Sequence, residues 1–222
     1  MNLTFKALGA LLTYPTPELM AALPEIAAAI DAERRLKAAD RKALHALIAG
    51  LAAADLIAAQ ERYVELFDRG RRTSLHLFEH VHGDSRDRGQ AMVDLLEVYK
   101  AAGFALAGGE LPDFLPALLE FLAQRPHAVA VEMLGDCAHI LRKVGEALQD
   151  RASPHAAVLA AALTLVGEAG LAPPSRDRVV ADEKPMDDEW REEPVFFGPP
   201  GGQGCGTSPP AESVVRFVPR QS

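Results

Sequence analysis

The chain has 222 residues, 49% of them hydrophobic, and a formal net charge of −8. That acidic balance argues against general binding of a phosphate backbone, which needs clustered Lys and Arg. Two cysteines, Cys137 and Cys205, lie far apart without CxxC or Cys/His spacing, which argues against a disulfide framework or a structural zinc site and fits a reducing cytoplasm.

Aromatics are few, so the core rests on Leu, Ala, Val and Ile, and an Ala/Leu-rich chain favours helix because these side chains lose little rotamer freedom there. Phe5, Leu8, Leu11 and Leu12 recur at helical spacing and stop at Tyr14-Pro15. With Lys6 behind Phe5 and no small-residue cleavage site following, this run predicts a first helix rather than an export signal. No run of about 20 apolar residues is present to span a bilayer.

Thr16, Pro17 and Glu18 predict the start of a second helix, as N-cap, first helical position and first-turn acid. It carries Leu19, Leu23, Ile26 and Ile30, with a kink or break expected at Pro24. Asp40 is the expected cap of a third helix through Leu44, Leu47 and Ile48, ending near Gly50. A fourth, from about Ala52 to Phe67, places Leu56, Tyr63, Leu66 and Phe67 near one stripe.

Asp84 or Ser85 is expected to open a fifth helix bearing Met92, Leu95, Leu96 and Tyr99, closed by Gly103. Pro112 is read as the start of a sixth, through Phe114 to Leu122, with Pro126 closing it. One long pattern from His127 to Gln149 follows, and Ser153-Pro154 caps a last helix ending at Gly170. The expectation is an all-α fold: a single helical domain, residues 1–170, of roughly eight helices. Residues 171–222 hold nine of the sixteen prolines, an acidic run from Asp182 to Glu193 and the tract GPPGGQGCGTSPP. They read as a disordered, acidic and Pro/Gly-rich tail.

Charge, histidine, glycine and aromatics crowd into one stretch, Phe67 to Leu96. Within it, His76-Leu77-Phe78-Glu79-His80 spells H-x-x-E-H, the inverted zinc-peptidase pattern, in which two His bind zinc and Glu activates water. The alternative function it raises is a zinc-dependent hydrolase. It needs a helix, a third ligand and an open metal position, whereas Gly83 would cut the helix short and no second motif offers the ligand. A plainer reading is a turn rich in capping groups, with Arg71, Arg72, Arg86 and Arg88 pairing with Glu79, Asp84 and Asp87. A third is a surface for a partner segment, with an apolar floor for affinity and a His/Arg/Asp rim for orientation. No GxxxxGK[ST] or GxGxxG motif for a nucleotide is found.

The stretch LFDRGRRTSLHLFEHVHGDSRDRGQAMVDLL, with Leu134–Leu148, Ser153–Leu163 and EEPVFFG at Glu192–Gly198, closely resembles the nitrate reductase delta-subunit family, the NarJ-type molybdenum-cofactor assembly chaperones. The resemblance implies an all-helical cytoplasmic chaperone, related to the trimethylamine-oxide and dimethyl-sulfoxide reductase chaperones. It implies no enzymatic activity, no resident metal or cofactor, no nucleic-acid partner, and membrane association only through the client. The implied partner is the apo catalytic (alpha) subunit of respiratory nitrate reductase, held through its N-terminal segment until the molybdenum cofactor and iron–sulfur cluster are inserted. The implied client-binding residues are Phe78, His80, Val81, His82, Gly83, Ser85, Arg86, Asp87, Arg88, Gln90 and Met92, with Gly89 in the same motif. Met92 also lies on the Leu95/Leu96/Tyr99 stripe and reads as core on that count.

Overall fold

Helix α1 (Leu3–Ala10) is apolar enough to be covered on most of its surface, and Phe5, Ala7, Leu8 and the following Leu11 and Leu12 are all buried. It lies closest to α7 (Leu115–Ala123), where Gly9 allows the approach: a Cβ there would stand 3.2 Å from both Leu119 Cβ and the Pro116 carbonyl oxygen. The structure, a computed structural model, describes residues 2–83, 85–106 and 109–172. The expected tail from 173 onward, Cys205 and Asp84 lie outside the described residues.

Ten α-helices are present among the described residues, together with one π-helical turn and one 3₁₀ turn. The all-α expectation holds, and the two helices beyond the expected eight have identifiable origins. A four-residue α5 (Glu79–His82) sits inside the central stretch, too short to leave a periodic signal. The long His127–Gln149 pattern is divided at Cys137 into α8 (His127–Asp136) and α9 (Ala138–Asp150). Gly135 and Asp136 are poor helix formers beside that division, and the Cys137 N–H turns to Leu134 O in a tighter bond.

Thr16 caps α2 (Pro17–Ala32) as expected, its hydroxyl accepting from the Leu19 N–H at 3.2 Å. Pro24 does not break it. The residue lies on the exposed face, where water can serve the carbonyl that its missing N–H leaves free. Asp40 is not the cap of α3 (Ala38–Ala53): the helix starts earlier, behind Lys37, and the Asp40 carboxylate accepts from Thr164 Oγ1 at 2.8 Å. The fourth helix is two pieces, α4 (Leu56–Tyr63), capped by Asp55, and a π-helical turn over Val64–Asp68. Pro112 likewise precedes its helix by a turn, because Asp113 and Phe114 are drawn into a pairing described below; Pro116 occupies the first turn of α7.

At the centre lies α10 (Ala156–Leu165), apolar all round and covered by α9 on one side and α3 on another. α9 is strongly amphipathic, burying Ile140, Leu141, Val144 and Leu148. α6 (Asp87–Ala101) is the exception. Of its 15 residues Tyr99 alone is buried, its hydroxyl donating to Pro112 O at 2.8 Å and its ring lying against Phe121 and Phe104. Among the described residues no helix is long and apolar enough to cross a membrane.

Candidate functional site

One isolated bridge and a turn fix the local geometry of the central stretch. Leu75 and Leu77 are buried, the half-buried His76 lies between them, and the chain turns at Leu77–Phe78 into α5. The segment forms a single isolated antiparallel bridge, His76 with Phe114: Leu77 N–H donates to Asp113 O at 3.0 Å and Leu115 N–H to Leu75 O at 2.9 Å. Asp113 is completely buried, and its two carboxylate oxygens divide their work. One accepts from the Phe78 N–H at 3.0 Å; the other lies 3.3 Å from His76 Nδ1. The hydrogen bond from this carboxylate raises the His76 pKa above its ordinary value, against the desolvation that opposes it.

His80 behaves oppositely. Burial lowers its pKa, and its Nε2 stands 2.9 Å from Ser74 O, so that nitrogen carries the proton. Glu79 bridges the segment, accepting from Ser74 Oγ at 2.5 Å and from Arg88 at 3.2 Å. Phe78 and His82 meet edge to face at 5.8 Å. Gly83 then reverses the chain at φ +53°, a conformation that L side chains rarely adopt. The Ser85 hydroxyl accepts from the Asp87 N–H at the start of α6, so Ser85 serves the helix entry as expected, and Gln90 donates to Asp94 at 2.7 Å.

The residues singled out by sequence therefore fall into two sets. Phe78, His80, His82, Gly83, Arg88 and Met92 are half-buried around α5 and the inner edge of α6. Val81, Ser85, Arg86, Asp87, Gly89 and Gln90 are exposed beyond them. Met92 stands at the border rather than in the core. Of the four arginines, Arg88 reaches Glu79, whereas Arg72 pairs with Asp150 on α9. Val81 on α5 and Val93 and Val98 on α6 are exposed.

The H-x-x-E-H spacing does not build a metal site. His76 is in an extended segment, not on a helix turn with His80, and the two rings are engaged with Asp113 and Ser74. Among the described residues no group of three or more His, Cys, Asp or Glu is arranged to hold a metal ion. Cys137 is half-buried against the core, and burial pushes its thiol up to about 11, which makes it a weak nucleophile.

None of the sequence-selected residues lines a groove that lies elsewhere among the described residues. That groove, of about 740 Å³, runs between the C-terminal end of α3, α4 with its π-helical turn, and the α9–α10 turn. Leu47, Leu51, Tyr63, Leu66 and Pro154 give it an apolar lining, and Arg62, Glu65, Arg69, Arg151 and His155 supply its ionisable groups. Two backbone irregularities border it. Arg69 N–H bonds Val64 O, the i to i−5 spacing of a π turn, and Ala152 has φ +52°. Both kinds of irregularity concentrate at functional sites. Burial of His155 lowers its pKa to about 4, so the groove presents a neutral imidazole. Neither irregularity shows in the sequence, where Val64–Asp68 reads as ordinary helix and Ala152 as a helix former.

The chain is matched by the model of the nitrate reductase delta subunit family over residues 33–161. It is 44% identical over 217 residues to the nitrate reductase molybdenum cofactor assembly chaperone NarJ of Escherichia coli K12, covering 94% of this chain and 89% of that protein. The probable nitrate reductase molybdenum cofactor assembly chaperone NarW of the same strain is 40% identical over 217 residues, covering 96% of this chain and 91% of that protein. The probable nitrate reductase molybdenum cofactor assembly chaperone NarJ of Bacillus subtilis 168 is 33% identical over 171 residues, covering 75% of this chain and 91% of that protein.

Proposed function

The chain belongs to the nitrate reductase delta subunit family, whose members are molybdenum-cofactor assembly chaperones and not enzymes, and we propose that it acts by holding the apo catalytic subunit of a respiratory nitrate reductase. The finer reading is that it captures that subunit's N-terminal segment and keeps the subunit open to insertion of the molybdenum cofactor and an iron–sulfur cluster before membrane docking. The client segment lies on the α5–α6 surface, against Phe78, Val81, Met92 and Val93, with His80, His82, Gly83, Ser85, Arg86, Asp87, Arg88 and Gln90 around it.

The observation that carries this placement is α6 itself. A helix of 15 residues that buries one side chain, and leaves Val93 52% and Val98 44% exposed, lacks the cover that stabilises helices in globular proteins. A partner segment supplies that cover. Asp113, Glu79 and Ser74 hold the surface in shape beforehand, which reduces the ordering cost on binding. Binding of the apo form alone stabilises that form by mass action, about 2.7 kcal/mol when free chaperone stands at 100 times Kd. Release follows when the matured client no longer presents the segment, and no nucleotide hydrolysis is required.

Calorimetric titration of the purified chain with a synthetic N-terminal peptide of the catalytic subunit tests this. Saturable one-to-one binding is expected. Heat of dilution alone at every pH from 5 to 8 would refute the placement.

A further inference from the structure

We propose that the turn joining α2 to α3, with the exposed side of α1 beside it, is a contact surface for an anionic lipid bilayer. The proposal does not depend on the client reading or on the α5–α6 surface. It adds a direct contact to the membrane association expected through the client.

Charge distribution is the first argument. Arg34, Arg35, Lys37, Arg41 and Lys42 fall within nine residues of a chain that carries −8. The carboxylates of the same segment are engaged. Asp31 lies 2.7 Å from His45 Nε2, and Asp40 accepts from Thr164 on α10. Glu33 accepts from Thr4 Oγ1 at 3.1 Å and pairs with Arg35, and its side chain is 14% exposed. Glu168, just beyond α10, pairs with Arg142. Even with all three carboxylates counted, residues 31–42 are net positive. Arg34, Lys37 and Lys42 are exposed and take part in no ion pair among the described residues.

The second argument is how these cations are displayed. They spread over a turn and the start of α3, and no site gathers them: Arg41 turns back to Glu33 O at 2.7 Å, and Arg35 to the Glu33 carboxylate. A compact anion needs donors that converge on it. The surface potential of an anionic leaflet acts on each cation separately and fades within a Debye length, so a divergent set serves it. The Thr4–Glu33 bond sets the start of α1 beside this turn. There Lys6 is exposed and Leu3 is 54% exposed, one turn apart, a further cation and an apolar side chain that gains by entering the headgroup boundary.

Each Lys or Arg near such a surface strengthens binding about fivefold. Sedimentation of the full chain with phosphatidylglycerol vesicles, and separately with phosphatidylcholine vesicles, tests the contact. The chain is expected to sediment with phosphatidylglycerol alone and to be released by about 0.5 M salt. Lys37→Gln with Lys42→Gln is expected to lower the partition coefficient about twenty-fivefold. Lys100→Gln with Lys143→Gln, the same loss of charge elsewhere, is expected to change it far less. All four are exposed side chains, so both double variants keep the fold.

No sedimentation on phosphatidylglycerol overturns the proposal, and so does equal sedimentation on phosphatidylcholine. An equal fall in the two double variants overturns it by showing that net charge alone matters. Release by inorganic phosphate at unchanged ionic strength would assign the turn to a compact anion instead. Retention on immobilised polyglutamate without sedimentation on vesicles would assign it to an acidic polypeptide. Each of these results leaves the chaperone reading standing.

Discussion

The buried carboxylate of Asp113 and the half-exposed imidazole of His76 meet at 3.3 Å across a bridge between two segments that are 37 residues apart in sequence. Asp113 also holds the Phe78 N–H, so one side chain fixes both the turn that enters α5 and the imidazole beside it. Asp113→Ala leaves that N–H and its own pocket without a partner, and an unsatisfied buried donor costs about 1–3 kcal/mol. Urea unfolding is expected to show a loss of that size, with no change in the slope m. Asp113→Asn retains an acceptor for Phe78 and is expected to lose less. Equal losses in the two variants would mean that the Phe78 bond is not what Asp113 contributes.

Histidines make stability depend on pH with opposite signs, His76 in one direction and His155, together with His80, in the other. The His76 pKa is raised, so its contribution is complete below the unfolded value near 6.5 and is lost as pH rises through the folded value. The His155 pKa is lowered to about 4, so the folded chain prefers it neutral; that contribution is complete above about 6.5 and is lost as pH falls toward 4. Acid titration of the wild-type chain from pH 7 to 5 is expected to lower the thermal midpoint. His155→Gln is expected to flatten that limb, by an amount on the order of 1–3 kcal/mol at pH 5. An unchanged acid limb would show that His155 protonates in the folded chain as it does when unfolded.

The helical character of the chain was legible because Leu and Ala periodicity survives in α1, α2, α7 and α9, and because α10 is a run of Ala and Leu throughout. The central stretch was legible as a site because polar and aromatic residues interrupt that periodicity. What composition and spacing did not carry is its internal wiring. Asp113 reads as a polar residue at a helix start, and only the bridge brings it to His76 and Phe78. The zinc reading of H-x-x-E-H needs a helix through both histidines, and spacing alone cannot show that His76 lies in a bridge outside α5. The groove is harder still, since it depends on a π turn and on one left-handed alanine, neither of which has a compositional signal.

Val93 offers a separation of binding from folding. It is 52% exposed on α6, and a substitution at such a position usually changes stability by less than about 0.5 kcal/mol. Val93→Lys places a hydrated ammonium where the client segment is expected to lie. Titration with the catalytic subunit's N-terminal peptide is expected to show affinity lower by roughly tenfold, as for one lost apolar contact. Unaltered affinity in a variant with an unaltered thermal midpoint would move the client segment away from this face of α6.

Ala152 closes α9 at the position where a left-handed residue is required. Its N–H reaches Gln149 O at 2.8 Å and the next N–H, of Ser153, reaches Leu148 O at 2.9 Å, the paired bonds of a Schellman ending. Alanine pays a steric penalty there, about 1–2 kcal/mol for an L residue with its Cβ close to the following carbonyl. Glycine removes the clash and returns part of the gain as greater freedom in the unfolded chain. Ala152→Gly is therefore expected to raise stability by about 0.5–1 kcal/mol, read as a higher urea midpoint at constant m. A destabilised chain would mean that the alanine methyl contributes more by contact than its backbone costs.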